Sequence, residues 1–247
     1  MMETTPSRHS YLFSSSKDFW LLGGGSLLFL LLIRICLPNT PHNITLSFEY
    51  TLLLANIINH PHFAISYLIF YSNFGCKLSI QYERSLRTRY FLIGIVCPII
   101  LITWMTVLIC KNDHITLGIT ANIMFFLVGW HYAKQGYGML MLDSALKKYF
   151  FTPDEKNMFL RNAYAIWILA WMLVNYIAKT STPNYFGIPY QAISIPNWAI
   201  GVSALLATFT TLKTILTLHF ALQNKRNIAW NGVLAYGVSL YAWLLVR

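Results

Sequence analysis

Seven stretches of about twenty mostly apolar residues, set apart by short polar breaks, dominate this chain. About twenty such residues in a helix rising 1.5 Å each match a hydrocarbon core of roughly 30 Å. The stretches run over 19–37, 46–71, 90–110, 115–142, 158–178, 197–222 and 228–246. Breakers stand between them: Pro38 and Pro41, Asn73 with Gly75, Pro153, and the segment from Pro183 to Pro196. Charged residues make up only 11% of the chain and hydrophobic ones 56%, which excludes both a soluble domain and a disordered chain. The expected fold class is therefore all-α, a polytopic transmembrane helix bundle of about seven spans. Residues 1–18 read as a polar cytoplasmic tail and residues 19–247 as a single transmembrane helical domain. The chain stops at Trp243-Leu244-Leu245-Val246-Arg247 with no polar tail. Two readings stay open there: a helix that ends, or a reading frame truncated before further helices.

Charge tests the count. With seven spans, one face collects Arg8 and Lys17, the four basic residues between Lys77 and Arg89, Lys147, Lys148, Lys156, Arg161, Lys225 and Arg226. The opposite face holds Lys111, Lys179 and Arg247. Lys and Arg gather in cytoplasmic loops, so the N-terminus is expected on the cytoplasmic side of a cell membrane. The same bias explains the net charge of +10 without nucleic acid, since basic helix ends face anionic lipid. The cysteines, at 36, 76, 97 and 110, show no metal-type spacing, and Cys97, inside an apolar run, is expected in the core.

Polar side chains at membrane depth are costly, and each is a candidate functional group. His60 lies about 21 Å from the outer end of its segment, and His131 and Lys213 about 24 Å from theirs. In the second segment Asn56, Asn59 and His60 share a helix face. Pro61 opens the turn there and can bring His62 to the same side. In the fourth segment His131, Lys134 and Gln135 stand at i, i+3 and i+4, beside Gly136 and Gly138. Asp143 is about 18 Å deeper along that helix than His131.

Three functions fit this pattern. In the first, His60, His62 and His131 ligate a metal, iron or else zinc or copper, with positions left open. Lys134 and Gln135 then orient a hydrophobic, lipid-like substrate, with Asn56 and Asn59 behind the ligands. The second is a small-solute or proton-coupled transporter with Lys134 and Lys213 at a cationic midplane site. The third is a structural membrane subunit whose Asn and His side chains only join helices. Among the aromatics, Trp20, Trp198, Trp230 and Trp243 fit an interfacial belt, and Tyr67, Trp130, Tyr132, Tyr137 and Trp167 lie deeper.

Overall fold

A computed structural model of the chain describes residues 11–36, 57, 61–81, 83–181, 184–185, 187–224, 226 and 228–242. The architecture is helical. α1 (Ser15–Phe19) runs through a wide π-type turn, Trp20–Gly24, into α2 (Gly25–Cys36). α3 covers residues 61–71 and is followed by the short α4 (Phe74–Cys76). α5 (Arg84–Phe91), a π-type turn over Leu92–Val96 and α6 (Cys97–Cys110) form one continuous helix. Next come α7 (His114–Leu146), α8 (Pro153–Ser181), α9 (Asn197–Gln223) and α10 (Trp230–Tyr241). A two-residue antiparallel pair, β1 (Asn184–Tyr185) with β2 (Ile188–Pro189), turns on Gly187 between α8 and α9.

Among the described residues, four helices are long and apolar enough to cross a membrane: Arg84–Cys110, His114–Leu146, Pro153–Thr180 and Asn197–Gln223. These are the third to sixth expected segments, with ends displaced by a few residues. The first expected segment is helical but broken at Gly23, whose φ of +148° no regular helix contains. The second lies largely outside the described residues. The seventh is described over the twelve residues of α10.

The helix starts are set by local chemistry. The Asp113 carboxylate accepts from the Thr116 N–H at 3.0 Å and from the Thr116 hydroxyl at 2.6 Å, capping α7. These bonds to the ionised form hold the Asp113 carboxyl below its ordinary value of 3.8. Thr152 and Glu155 cap α8 reciprocally: the Glu155 N–H donates to Thr152 Oγ1 at 3.2 Å, and the Thr152 N–H donates to Glu155 Oε2 at 2.8 Å. Pro153 then takes the first helical position, where a missing N–H costs nothing. Asn112 and Lys148 adopt positive φ just after α6 and α7, as helix-ending residues do.

The chain divides into two compact units, Leu37–Leu117 and the remainder, Met1–Cys36 with Gly118–Arg247. In the smaller unit, α3 turns back at Asn73 onto α5. Phe70 stacks on Tyr90, and Tyr71 Oη donates to the Gly94 carbonyl at 2.6 Å. Lys77 Nζ reaches the carbonyls of Ile69 and Phe70, both at 3.2 Å, which fixes the turn. Cys97 is an exposed free thiol and not part of a core. Its neighbours Ile99 to Ile102 are also exposed, so this helix keeps an apolar surface.

The larger unit has a core of Leu140, Phe159, Ala163, Ala207, Tyr236 and Leu240. α8 lies against α9, and α10 packs on the Trp20–Gly24 turn. Its outward surface is again apolar: Leu205 is 73% exposed and Val174, Ile177 and Leu212 are exposed with it. Such a surface is unfavourable in water and suited to hydrocarbon. Asp18 is buried and accepts from the N–H groups of Leu12 and Phe13 at 2.8 and 3.1 Å, so residues 12–18 fold into a compact turn. Asp143 accepts from the Gly232 N–H at 2.7 Å and from Lys147 at 3.0 Å, which ties the start of α10 to the end of α7.

Candidate functional site: a polar layer between α8, α9 and α10

Asn162 is fully buried in α8 and joins three helices. Its amide nitrogen donates to Tyr236 Oη and Tyr241 Oη on α10, each at 3.0 Å. Its carbonyl oxygen accepts from Thr210 and Thr211 on α9 at 3.0 and 3.1 Å. Tyr236 Oη donates onward to the Phe159 carbonyl at 2.7 Å. Thr211 Oγ1 and Tyr241 Oη are 2.8 Å apart. Thr211 is fourteen residues from the start of α9 and twelve from its end, so the layer crosses α9 close to its middle.

Two cavities lie in the larger unit, and the second borders this layer at Thr211 and Tyr241. The first, about 220 Å³, lies between the Trp20–Gly24 turn with α2, α7 and α10. Ser26, Tyr132, Gln135 and Ser239 supply polar groups to it, and Leu22 and Met139 apolar ones. Gly136 is at its base, where a side chain would collide with Ser239. The second, about 250 Å³, lies between α8, α9 and α10 and is walled by Ile166, Ala207, Thr208, Thr211, Leu212 and Tyr241.

A second buried amide pair ties α7 to α8 nearer their other ends. Asn122 Nδ2 donates to Asn175 Oδ1 at 2.6 Å and to the Gln191 carbonyl at 2.9 Å. Trp171 Nε1 donates to Asn122 Oδ1 at 2.8 Å. The Ile193 N–H donates to Asn175 Oδ1 at 2.8 Å, so the pair also holds the connection before α9. Trp167 Nε1 donates to the Phe126 carbonyl at 2.8 Å and packs against the core.

Of the residues picked out by sequence, Gln135 is brought into the first cavity. Lys134 goes elsewhere. Its ammonium is 5.9 Å from the Tyr137 ring and 5.8 Å from the Tyr164 ring, a half-buried cation between two aromatic faces. Lys134 and Gln135 therefore do not share a surface, because consecutive helical residues diverge by about 100°. Lys213 is exposed, with its ammonium 4.6 Å from the Phe209 ring. The two lysines use different aromatic partners. His131 is exposed on α7 and His62 is exposed on α3, in the other unit. His60, with Asn56 and Asn59, lies outside the described residues. Among the described residues no group of three or more His, Cys, Asp or Glu could hold a metal ion. Tyr132 lines the first cavity and Tyr137 packs on the core, whereas Tyr67 and Trp130 face outward.

The members of the layer that sequence reading passed over are Asn162, Thr210, Thr211, Tyr236 and Tyr241. One signal was present: Asn122, Asn162 and Asn175 are carboxamides inside apolar segments. An amide is nearly as costly in hydrocarbon as it is easy to overlook in a search for ionisable groups.

The fold and site together define a class: a helical protein with four membrane-length apolar helices among the described residues and an uncharged hydrogen-bonded layer that joins α8, α9 and α10. No family model, no curated protein and no solved structure matches this chain.

Proposed function

We propose that this protein is a multi-pass integral membrane protein of about seven spans, with its N-terminus on the cytoplasmic side, that holds a lipid-like molecule beside Gln135. The observation that carries this reading is the first cavity. Its volume of about 220 Å³ exceeds the roughly 150 Å³ that admits benzene to an apolar void. Its lining mixes the hydroxyls of Ser26, Tyr132 and Ser239 and the Gln135 amide with the apolar Leu22 and Met139. A molecule with one polar end and one hydrocarbon end matches such a mixed lining. The break at Gly23 supports an opening there, because it interrupts the helical hydrogen-bond ladder on the cavity's rim.

The test is capture by a photoreactive lipid. The full chain in nanodiscs is irradiated with a diazirine-bearing phosphatidylcholine, and labelled peptides are identified by mass spectrometry. Labelling is expected on the peptides holding Ser26 and Gln135, reduced at least threefold by Gln135→Leu and Ser239→Ala. Even labelling of all apolar helix surfaces, unchanged by either variant, would overturn the proposal.

A further inference from the structure

We infer that the second cavity is a separate site for an apolar molecule carrying a single hydroxyl group. The argument is an account of protons. Asn162 Oδ1 accepts from Thr211, so the Thr211 proton is committed to it. Tyr241 Oη is 3.5 Å from the same Asn162 oxygen, a longer contact than the 3.1 Å of Thr211, so the shorter pair of bonds has Thr211 donating to Asn162 and Tyr241 donating to Thr211 Oγ1 at 2.8 Å. Tyr241 Oη in turn accepts from Asn162 Nδ2. A hydroxyl oxygen has two acceptor positions and one proton. Thr211 Oγ1 and Tyr241 Oη each keep one open acceptor position and no available proton.

Thr208 completes the site. It stands one turn before Thr211 on the same face of α9 and lines the same cavity. Its hydroxyl makes no hydrogen bond to a described residue, so its proton is available to a ligand. The polar spot thus offers acceptors from Thr211 and Tyr241 and a donor from Thr208. An alcohol matches it, since its oxygen donates once and accepts. An ether or ketone uses only Thr208, and a hydrocarbon uses neither. The rest of the wall, Ile166, Ala207 and Leu212, is apolar and takes the ligand's carbon body. By proportion to the benzene-sized void, about 250 Å³ accommodates about ten carbons. Longer chains would extend past the exposed Leu212.

The experiment compares three probes of equal reach, decan-1-ol, 1-methoxynonane and decane. Each is partitioned between nanodiscs holding the full chain and empty nanodiscs of the same phosphatidylcholine. Decan-1-ol is expected to bind the wild type about tenfold tighter than the ether, the size of one net hydrogen bond. Either oxygen alone still accepts the alcohol proton, so that preference is expected to fall below about twofold in the double variant Thr211→Val with Tyr241→Phe. Thr208→Val is outside the Asn162 network and leaves it intact. It is expected to reduce the ether to the level of decane while the alcohol keeps its lead. Gln135→Leu, in the other cavity, is expected to change nothing. Equal binding of alcohol and ether by the wild type overturns the inference. So does a preference that survives the double variant, or one that Gln135→Leu abolishes.

Discussion

Replacing Asn162 by leucine tests whether the buried layer holds the larger unit together. Leucine keeps the branching of asparagine and removes its polar atoms. The four hydrogen bonds of Asn162 are not equal. Thr210 Oγ1 also reaches the carbonyls of its own helix, Leu206 at 2.9 Å and Ala207 at 3.1 Å, so its bond to Asn162 is replaceable. Tyr236 keeps its bond to the Phe159 carbonyl, and Thr211 and Tyr241 keep one another. Three contacts are then lost without substitute, those to Tyr236, Tyr241 and Thr211. Interhelical hydrogen bonds within membranes average about 0.6 kcal/mol, so Asn162→Leu is expected to cost about 2 kcal/mol. Thr210→Val removes only the replaceable bond and is expected to cost under about 0.5 kcal/mol. Both are measured by tryptophan fluorescence during reversible unfolding of the full chain in mixed micelles. A small loss for Asn162→Leu, or equal losses for the two variants, would refute the assignment of this amide as the link between α8, α9 and α10.

Glycines give a second contrast. A Cβ on Gly136 would lie 2.8 Å from Ser239 Cβ, so Gly136→Ala must push α7 and α10 apart and is expected to cost about 1–3 kcal/mol. Gly138 has nothing within 4 Å of the same atom, and Gly138→Ala is expected to stabilise by about 0.5–1 kcal/mol in the same assay. Gly23→Ala is expected to destabilise by about 1–3 kcal/mol, because alanine must adopt a φ of +148° or rebuild the turn. A stabilised Gly23→Ala variant, the result for an ordinary helix interior, would show that no break exists there. Asp113 gives a pH prediction. Its carboxyl is held below 3.8 when folded, so its contribution is full above the unfolded value of about 3.9 and is lost as pH falls through the folded one. Thr116→Val removes the hydroxyl bond, the largest cause, and a carboxyl ¹³C titration of Asp113 is expected to move upward toward 3.8.

The helices were legible because hydrocarbon length is a strong constraint. α6, α7, α8 and α9 fall on four of the expected apolar stretches, with ends set by Asp113, Pro153 and Pro196, which are visible in the sequence. The break in the first stretch was not read, because Gly23, Gly24 and Gly25 satisfy an apolar pattern whatever their backbone does. Only a dihedral angle distinguishes a helical glycine from one at a hinge. The directions of the candidate side chains were not legible. Lys134 and Gln135 are neighbours in α7, yet the 100° between them sends one to Tyr137 and Tyr164 and the other to Ser26 and Ser239.

The choice of partners explains why the layer itself stayed hidden. Asn162, Thr211 and Tyr241 carry no charge, and a threonine hydroxyl can turn to a carbonyl of its own helix, as Thr210 does. Nothing in a single segment requires them to meet. Their meeting is decided by packing: Phe159 against Tyr236 and Ala207 within the same core bring α8, α9 and α10 close enough for one carboxamide to reach both α9 and α10. Charge is excluded from this arrangement for the same reason. A lysine in place of Asn162 would need a counter-ion that the neighbouring threonines and tyrosines do not supply, while an amide is satisfied by them completely. The recognition chemistry left to such a layer is therefore neutral hydrogen bonding beside hydrocarbon, and that is selective for a hydroxyl over an ether oxygen in a way that a cationic site would not be.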